Sequence, residues 1–272
     1  MNIQKTLLLA CMSAVFAAMP ATAQHKTKQK KTGISVEHRL YEGESFFKAK
    51  IKRPLYADQR WSIMWPENGV NCNVKKLQEA IIASLSDKHY PSIDAFVSFM
   101  ENNFAGNGEW QKVAEMVETE TSFDCEDEYN PFPQSIAYNV ETTETGCEGI
   151  ATYRISDVYD LGSGVGAGIL FDDRYIMYDL YTGQVVKYED IFKQGSEEAV
   201  ARLLKTNAVN LNDYKTLINA DFPPVHKDNF YLDHNYKTAF FIYGKYEVAS
   251  GVDGVVKLGL SFDDLKPFMK GR

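Results

Sequence analysis

The stretch that most constrains the fold runs over residues 175–192. Residues 175–181 are rich in aromatic and β-branched side chains, Gly183 supplies a turn residue that tolerates positive φ, and residues 185–187 resume an extended pattern. This order of signals predicts a β-hairpin. Residues 188–192 then place two acids where the first turn of a helix favours them, so a helix is expected to follow. The stretch contains no nucleophile, metal cluster or phosphate-binding loop, which indicates a binding or scaffold domain.

The first 23 residues have the pattern of a signal peptide. Lys5 supplies the positive charge, residues 6–19 form a short apolar region, and Ala21-Thr-Ala23 is a small-residue cleavage site before Gln24. The apolar region is too short to remain in a bilayer as a helix, which needs about 20 residues. We therefore expect a cleaved signal peptide and a periplasmic or secreted protein.

Cys11 offers an alternative, because residues 8–11 resemble a lipoprotein cleavage site. Only five residues separate Lys5 from Cys11, which is too few for an ordinary apolar region. Soluble export is favoured over a lipid anchor at Cys11. No second apolar stretch of about 18 residues follows, so no membrane span is expected in the mature chain.

The charge balance makes nucleic acid an improbable partner. The chain has 29 basic and 37 acidic residues, and removal of residues 1–23 takes away one lysine and no acid. An acidic exported protein repels phosphate backbones and anionic lipids. The basic run at residues 25–31 lacks apolar anchors, so residues 24–33 are expected to form a solvated, flexible tail.

Three cysteines remain after cleavage, namely Cys72, Cys125 and Cys147. In an oxidising compartment Cys125 and Cys147 can pair and close a loop of 23 residues. Such a bond contributes about 3 kcal/mol in the chain-entropy model. Cys72 is then a free thiol. The alternative is three buried, reduced cysteines without a bridge.

The pattern of the remaining chain predicts an α+β fold with mostly antiparallel sheets and a few packed helices. Residues 34–128 form an N-terminal part, with strands at 33–38, 46–52 and 61–65, the last ended by Pro66, and helices at 73–85, from Ser92, and at 109–119. Residues 129–272 form a C-terminal part, with strands at 135–141, 149–155, 169–181, 229–232, 239–243 and 254–261, and helices at 197–205, capped by Ser196, and 262–269.

Two loops imitate ligand-binding motifs. The acids at 124–128 lack the ordered spacing and the glycine of a calcium loop, which favours a solvated loop. Gly162, Gly164, Gly166 and Gly168 imitate a dinucleotide fingerprint, but a strand pattern follows them instead of a helix. Nucleotide binding is rejected, and the glycines are expected in a strand-to-strand loop that permits close approach of a partner.

The second half resembles the extracellular domain of RsiV-type anti-sigma factors, which also accompanies the deacetylase of PdaC-type cell-wall proteins. The resemblance runs through residues 178–192, 229–232, 243–249, Gly254 and residues 260–265. Its most specific part is the Tyr-Glu-Val-Ala element within residues 243–249. The family usually carries a Gly-Gly-Ala-His-type loop before its central strand, whereas residues 161–168 occupy that place without a histidine.

The resemblance implies an exported α+β domain that acts by binding, because members in anti-sigma factors sense lysozyme. The expected partners are a lysozyme-like envelope protein or a peptidoglycan glycan, without a cofactor, a metal ion or catalytic activity. The chain is expected to correspond to the sensor without its cytoplasmic transmitter.

The candidate site residues are Tyr246 and Glu247, at a short break between two apolar strands. With the glycine loop they would line a ligand groove. The alternative is structural, with Glu247 holding backbone amides of the adjacent loop. A second functional hypothesis is an envelope hydrolase that uses carboxylates such as Asp172, Asp173 and Glu247. No metalloprotease His-Glu-x-x-His or Gly-x-Ser-x-Gly motif supports it.

Overall fold

The computed structural model describes residues 33–48, 56–85, 90–106, 115, 135–160, 169–214, 217 and 225–271. The described residues form two mostly antiparallel sheets and five α-helices, so the α+β prediction is confirmed. The predicted signal peptide, nearly all of the basic tail, the acidic run at 124–128 and the predicted helix at 109–119, apart from Glu115, lie outside them. None of the described helices is long and apolar enough to cross a membrane.

The first sheet contains six strands in the order of the chain. They are β1 (Ser35–Lys48), β2 (Tyr56–Val70), β3 (Ser135–Thr143), β4 (Ile150–Asp160), β5 (Ile169–Asp179) and β6 (Gln184–Val185). Strands β2 and β3 are parallel, and the other neighbouring pairs are antiparallel. The hairpin predicted from residues 175–187 is confirmed as β5 and β6, with Gly183 at a φ of 69° in the turn.

Strand β2 is longer than the sequence predicts. Pro66 was expected to end it, but the strand continues to Val70, so that prediction is wrong. Strand β3 pairs with β2 only as far as Ile63, and the missing N–H of Pro66 therefore faces no strand on that side. On the β1 side, a shift of register between Glu37 and His38 accommodates the proline.

Helices α1 (Val74–Leu85) and α2 (Ile93–Gly106) cover one face of this sheet. Their predicted caps form, because Asn73 Oδ1 accepts from the Lys76 amide at 3.3 Å and Ser92 Oγ accepts from the Ala95 amide at 3.1 Å. The apolar sides of both helices pack on the sheet in one core. Its most deeply buried members include Ile63, Leu77, Ile81, Phe96, Tyr153 and Ile155.

The second sheet has three antiparallel strands, β7 (Phe230–Asp233), β8 (Thr238–Tyr243) and β9 (Val256–Ser261). Helices α3 (Tyr188–Ile191), α4 (Glu197–Asn207) and α5 (Phe262–Leu265) complete this half. The second core is centred on buried residues of these elements, including Phe192, Val200, Leu204, Phe241, Leu258 and Leu260.

Ser196 does not cap α4 as the sequence predicts. Its side chain makes no capping hydrogen bond, and its Oγ lies 3.0 Å from the hydroxyl of buried Tyr188 instead. A buried tyrosine hydroxyl needs a partner more than an exposed helix end does, since water can satisfy the latter. That prediction is therefore wrong.

Side chains of the second half join the two sheets. The Asn229 side chain donates to the Asp173 carbonyl at 2.7 Å and accepts from the Tyr175 amide at 3.0 Å, which links β5 to the start of β7. The C-terminal segment also returns to this half, because the Lys193 amide donates to the Phe268 carbonyl at 2.8 Å. The predicted boundary between residues 128 and 129 lies outside the described residues, and strands from both sides of it pair in the first sheet.

Candidate functional site

The predicted site residues Tyr246 and Glu247 lie in the turn between β8 and β9. Glu247 Oε2 accepts a hydrogen bond from the Gly244 amide at 2.7 Å, and Oε1 pairs with Nε2 of His226. The His226 ring in turn packs against buried Tyr243, with ring centroids 4.9 Å apart. Both carboxylate oxygens therefore have partners within the protein, which is the arrangement that the structural alternative expects.

Tyr246 is accessible but conformationally restricted. It is 55% exposed and has a φ of 71°, which is unfavourable for a bulky residue. Its ring lies so close to Gly251 that a Cβ atom there would be 2.2 Å from the ring. The turn thus holds the tyrosine ring on its own backbone and leaves about half of it in solvent.

Two of the predicted features lie outside the residues that the structure describes. These are the glycine loop, with Gly162, Gly164, Gly166 and Gly168, and Cys125. Cys147 is buried, and its disulfide with Cys125 stays a prediction. Cys72 is a free thiol that donates to the Ser35 carbonyl at 3.6 Å, and burial raises its pKa.

Asp172 and Asp173 do not form a common carboxylate site. As neighbours on strand β5 they point to opposite faces of the sheet. Asp173 receives a bidentate contact from Arg154, with Nε and Nη2 at 3.1 and 2.8 Å from Oδ2 and Nη2 at 3.0 Å from Oδ1. Asp172 lies 3.4 Å from Nε of Arg174. Each carboxylate is therefore part of a separate ion pair.

Asp157 is the carboxylate whose pKa is shifted most among the described residues. It is buried and bonds Nη2 of Arg174 through Oδ2, while Oδ1 has no hydrogen-bond partner within the described residues. Burial raises the pKa of Asp157 to about 6, against the opposing effect of Arg174. This carboxyl group titrates close to neutral pH.

Lys257 occupies a cluster of aromatic rings between the two sheets. Its Nζ lies 4.5 Å from the ring centre of Tyr231, 4.7 Å from that of Phe240 and 5.4 Å from that of Tyr175. Burial, followed by the charge of Arg154, lowers the pKa of Lys257. The ammonium group of Lys257 thus contacts rings from both sheets, so this cluster helps to hold the two sheets together.

A cavity of 280 Å³ lies among the start of β1, the connection from β3 to β4, and Asn235 in the turn between β7 and β8. Its lining is rich in threonine, with Thr142, Thr143, Thr145 and Thr152. Val36, Ile150 and Leu180 supply apolar surface. The cavity therefore combines hydroxyl groups with a small apolar wall, as ligand pockets commonly do.

The residues that line this cavity include one paired and one unpaired polar group. Nε2 of His38 lies 2.7 Å from the hydroxyl of fully buried Tyr153. Although much of the His38 residue is exposed, desolvation of its ring lowers the pKa, which favours the neutral imidazole. Which of the two groups donates in this hydrogen bond depends on the tautomer of the imidazole. Thr152 is 3% exposed, and its Oγ1 has no hydrogen-bond partner among the described residues.

The second half of the chain holds one wall of the cavity in place. The Thr145 carbonyl accepts from the His234 amide at 2.7 Å and from the Asn235 amide at 3.2 Å. Gly146 follows with a φ of 67°, and a Cβ atom there would lie 2.1 Å from Oδ1 of Asn235. Close approach of Asn235 thus requires glycine at this position.

Sequence reasoning did not find this cavity, because its residues are far apart in the chain and form no motif. His38, Thr152 and Asn235 come from β1, β4 and the β7–β8 turn. The one local signal is the Thr-Thr-Glu-Thr run at 142–145, followed by glycines at 146 and 149. Such a run is equally typical of an exposed edge followed by a turn.

The architecture is shared with solved proteins of the DUF3298 family. A member from Bacteroides fragilis superposes with a TM-score of 0.66 at 15% identity, over 89% of this chain and 96% of that one. A DUF3298 family protein from Pseudomonas aeruginosa gives a TM-score of 0.51 at 14% identity, over 88% of this chain and 98% of that one. No family model and no curated protein matches the sequence. At these identities the likeness shows a common fold.

Proposed function

We propose that this protein is an exported binding protein of the cell envelope, cleaved before Gln24, which recognises a lysozyme-like protein or a peptidoglycan glycan without catalysing a reaction. Its resemblance to the extracellular domain of RsiV-type anti-sigma factors supports this function. The shared DUF3298 fold is compatible with it. The observation that carries the proposal is the display of tyrosine rings on hairpin turns.

Three turns each present a tyrosine that is more than half exposed. Tyr181 in the β5–β6 turn is 58% exposed, Tyr236 in the β7–β8 turn is 77% exposed, and Tyr246 in the β8–β9 turn is 55% exposed. A tyrosine ring offers an apolar face together with a hydroxyl, and it loses little conformational entropy on binding. Exposed tyrosines on turns therefore suit contact with a protein surface or with the face of a sugar.

The test measures binding of the mature chain to two targets. Cosedimentation with purified insoluble peptidoglycan and calorimetry with lysozyme are compared for the parent chain and for Tyr236→Ser and Tyr246→Ser. We expect binding to one target, and at least one tyrosine variant should weaken it about tenfold, as loss of about 1.4 kcal/mol requires.

Val209→Ser is the matched control, since Val209 is 61% exposed but lies outside the hairpin turns. It should bind as the parent chain does. Absence of binding to both targets would overturn the proposal. Release of soluble reducing ends from peptidoglycan would instead establish an enzyme.

A further inference from the structure

We propose that the outer edge of strand β1 binds an extended, cationic segment of a partner polypeptide, which adds to the first sheet as a further strand. The exposed tyrosines of the hairpin turns lie outside β1, so this inference goes beyond the proposed function. The observation that points to a partner strand is the long outer edge of β1, which is unpaired among the described residues.

The other edges of the two sheets are short or are covered by the chain itself. Strand β6 has only two residues. Strand β7 packs beside β5, where the Leu232 amide donates to the Met177 sulfur at 3.3 Å. In β9, the main chain of Lys257 is bonded by the side chains of Asn210 and Tyr214. Covered edges of this kind do not accept a further strand.

Strand β1 differs from these edges. It is 14 residues long and pairs with β2 along its whole length. No main-chain group of residues 37–46 bonds a third strand within the part of the chain that the structure describes. Helix α2 supports the strand from one face, where Ser45 Oγ donates to the Met100 carbonyl at 3.4 Å. A supported strand with unpaired N–H and C=O groups can hydrogen-bond an added strand.

Alternate side chains of β1 form an exposed row on the face opposite the helices. Leu40 and Phe46, which are 47% and 61% exposed, lie at its ends. Between them are exposed Glu42 and Glu44. Glu42 accepts from the Ser62 hydroxyl at 3.3 Å, and neither acid belongs to an ion pair of the described residues. The row therefore presents two uncompensated negative charges between two apolar side chains.

The charges of this row select a cationic partner over a second copy of the chain. A two-fold symmetric pair of β1 strands that sets Leu40 against Phe46 is centred on Gly43, and it also sets Glu42 against Glu44 twice. Like charges directly opposite each other destabilise a sheet. A strand with two cations at alternate positions, flanked by apolar residues, matches the row instead. The excess of acids over bases, 37 against 29, attracts such a segment from a distance.

The experiment titrates the mature chain into a labelled synthetic peptide, Thr-Val-Thr-Lys-Thr-Lys-Thr-Val-Thr, and follows fluorescence anisotropy. The parent chain is compared with the double variant Glu42→Lys/Glu44→Lys. We expect the double variant to bind this peptide at least about tenfold more weakly. It should instead prefer the peptide in which glutamates replace both lysines. Absence of binding by the parent chain, or equal affinity of the parent chain and the double variant, would overturn the proposal.

The matched control is the double variant Glu148→Lys/Glu198→Lys. It makes the same change of net charge at two exposed acids outside β1. This variant should bind the lysine peptide nearly as the parent chain does, because exposed charges far from the site are screened by salt. An equal loss of affinity in both double variants would mean that net charge alone attracts the peptide.

Two further peptides test whether the main chain pairs with the edge of β1. One carries N-methyl groups on its threonines, and the other carries them on its valines and lysines. Alternate residues of a strand direct their N–H groups to opposite edges, so only one of the two peptides keeps the N–H groups that face β1. We expect that peptide alone to bind. Equal behaviour of the two would overturn pairing along the edge, and a parent chain that ignores every peptide but sediments as a dimer would make a second copy the occupant.

Discussion

The β8–β9 turn and the cavity differ in how they satisfy their polar groups. In the turn, one carboxylate oxygen of Glu247 accepts from the Gly244 amide and the other pairs with His226. Both oxygens therefore stabilise the local structure. At the wall of the cavity, Thr152 is more deeply buried, yet its hydroxyl has no hydrogen-bond partner among the described residues. The difference teaches that a specific local sequence can mark a turn that stabilises itself, whereas a buried hydroxyl can be left unpaired where distant segments meet.

The largest loss of stability is expected at the wall of the cavity, where Asn235 lies against Gly146. Gly146→Ala should lower the free energy of unfolding by about 2 to 3 kcal/mol. Its positive φ alone costs about 1 to 2 kcal/mol for alanine, and the added Cβ must also displace Asn235. Chemical denaturation measures the loss.

The matched control is Gly195→Ala, because Gly195 has a φ of 79° but nothing within 4 Å of an added Cβ atom. It should lose about 1 kcal/mol, from the backbone alone. Equal losses in both variants would mean that Asn235 does not fix the wall.

A smaller loss of stability is expected from a substitution in the β8–β9 turn. Glu247→Gln removes the charge that pairs with His226 but keeps an oxygen for the Gly244 amide. The free energy of unfolding should fall by about 1 to 2 kcal/mol, since the pair is only partly exposed. Thermal melts and binding measurements are made on the same samples, and binding per folded molecule should not change.

Glu198→Gln is the control for the turn. Glu198 is exposed and lies 4.0 Å from Arg202, so its loss should leave the melting temperature nearly unchanged. If Glu247→Gln weakens binding without loss of stability, the turn is the binding site and the comparison is reversed.

The smallest loss of stability concerns Asp157, whose buried Oδ1 has no hydrogen-bond partner among the described residues. The pKa of Asp157 is about 6 in the folded chain and about 3.9 when unfolded. Between these values the folded state binds more protons, so its stability falls as pH rises from 4 to 6, and the loss is complete above pH 6.

Asp157→Asn should remove this dependence, so the parent chain should lose about 1 kcal/mol more than the variant between pH 4 and pH 7. Denaturation at several pH values measures the two slopes. Parallel slopes would show that Asp157 is not destabilised by burial.

The sequence predicts the fold well where local signals and tertiary packing agree. The hairpin at 175–187 and the caps Asn73 and Ser92 form as expected. The prediction from sequence is wrong where a tertiary contact overrides a local rule. The Ser196 side chain bonds Tyr188 instead of its helix. Pro66 is tolerated because β3 does not pair with β2 beyond Ile63 and because β1 shifts its register beside the proline.

The candidate site was predictable only in its local part. The Tyr246–Glu247 turn follows from a break between apolar strands, and the contact of Glu247 with Gly244 spans three residues. The contact of His38 with Tyr153 spans 115 residues. No periodicity or spacing encodes such a pair, because it depends on the tertiary arrangement that brings β1 near β4.

The contacts of the C-terminal segment make the second core depend on residues far along the chain. The first core draws its members from residues 34–180, so it needs nothing from the C-terminal segment. The second core needs β9, and Met269 and Lys270 bond back to residues 191 and 192. The second half can therefore close only when residues 256–270 are in place, and until then Tyr175 and Met177 on β5 lack their covering partners.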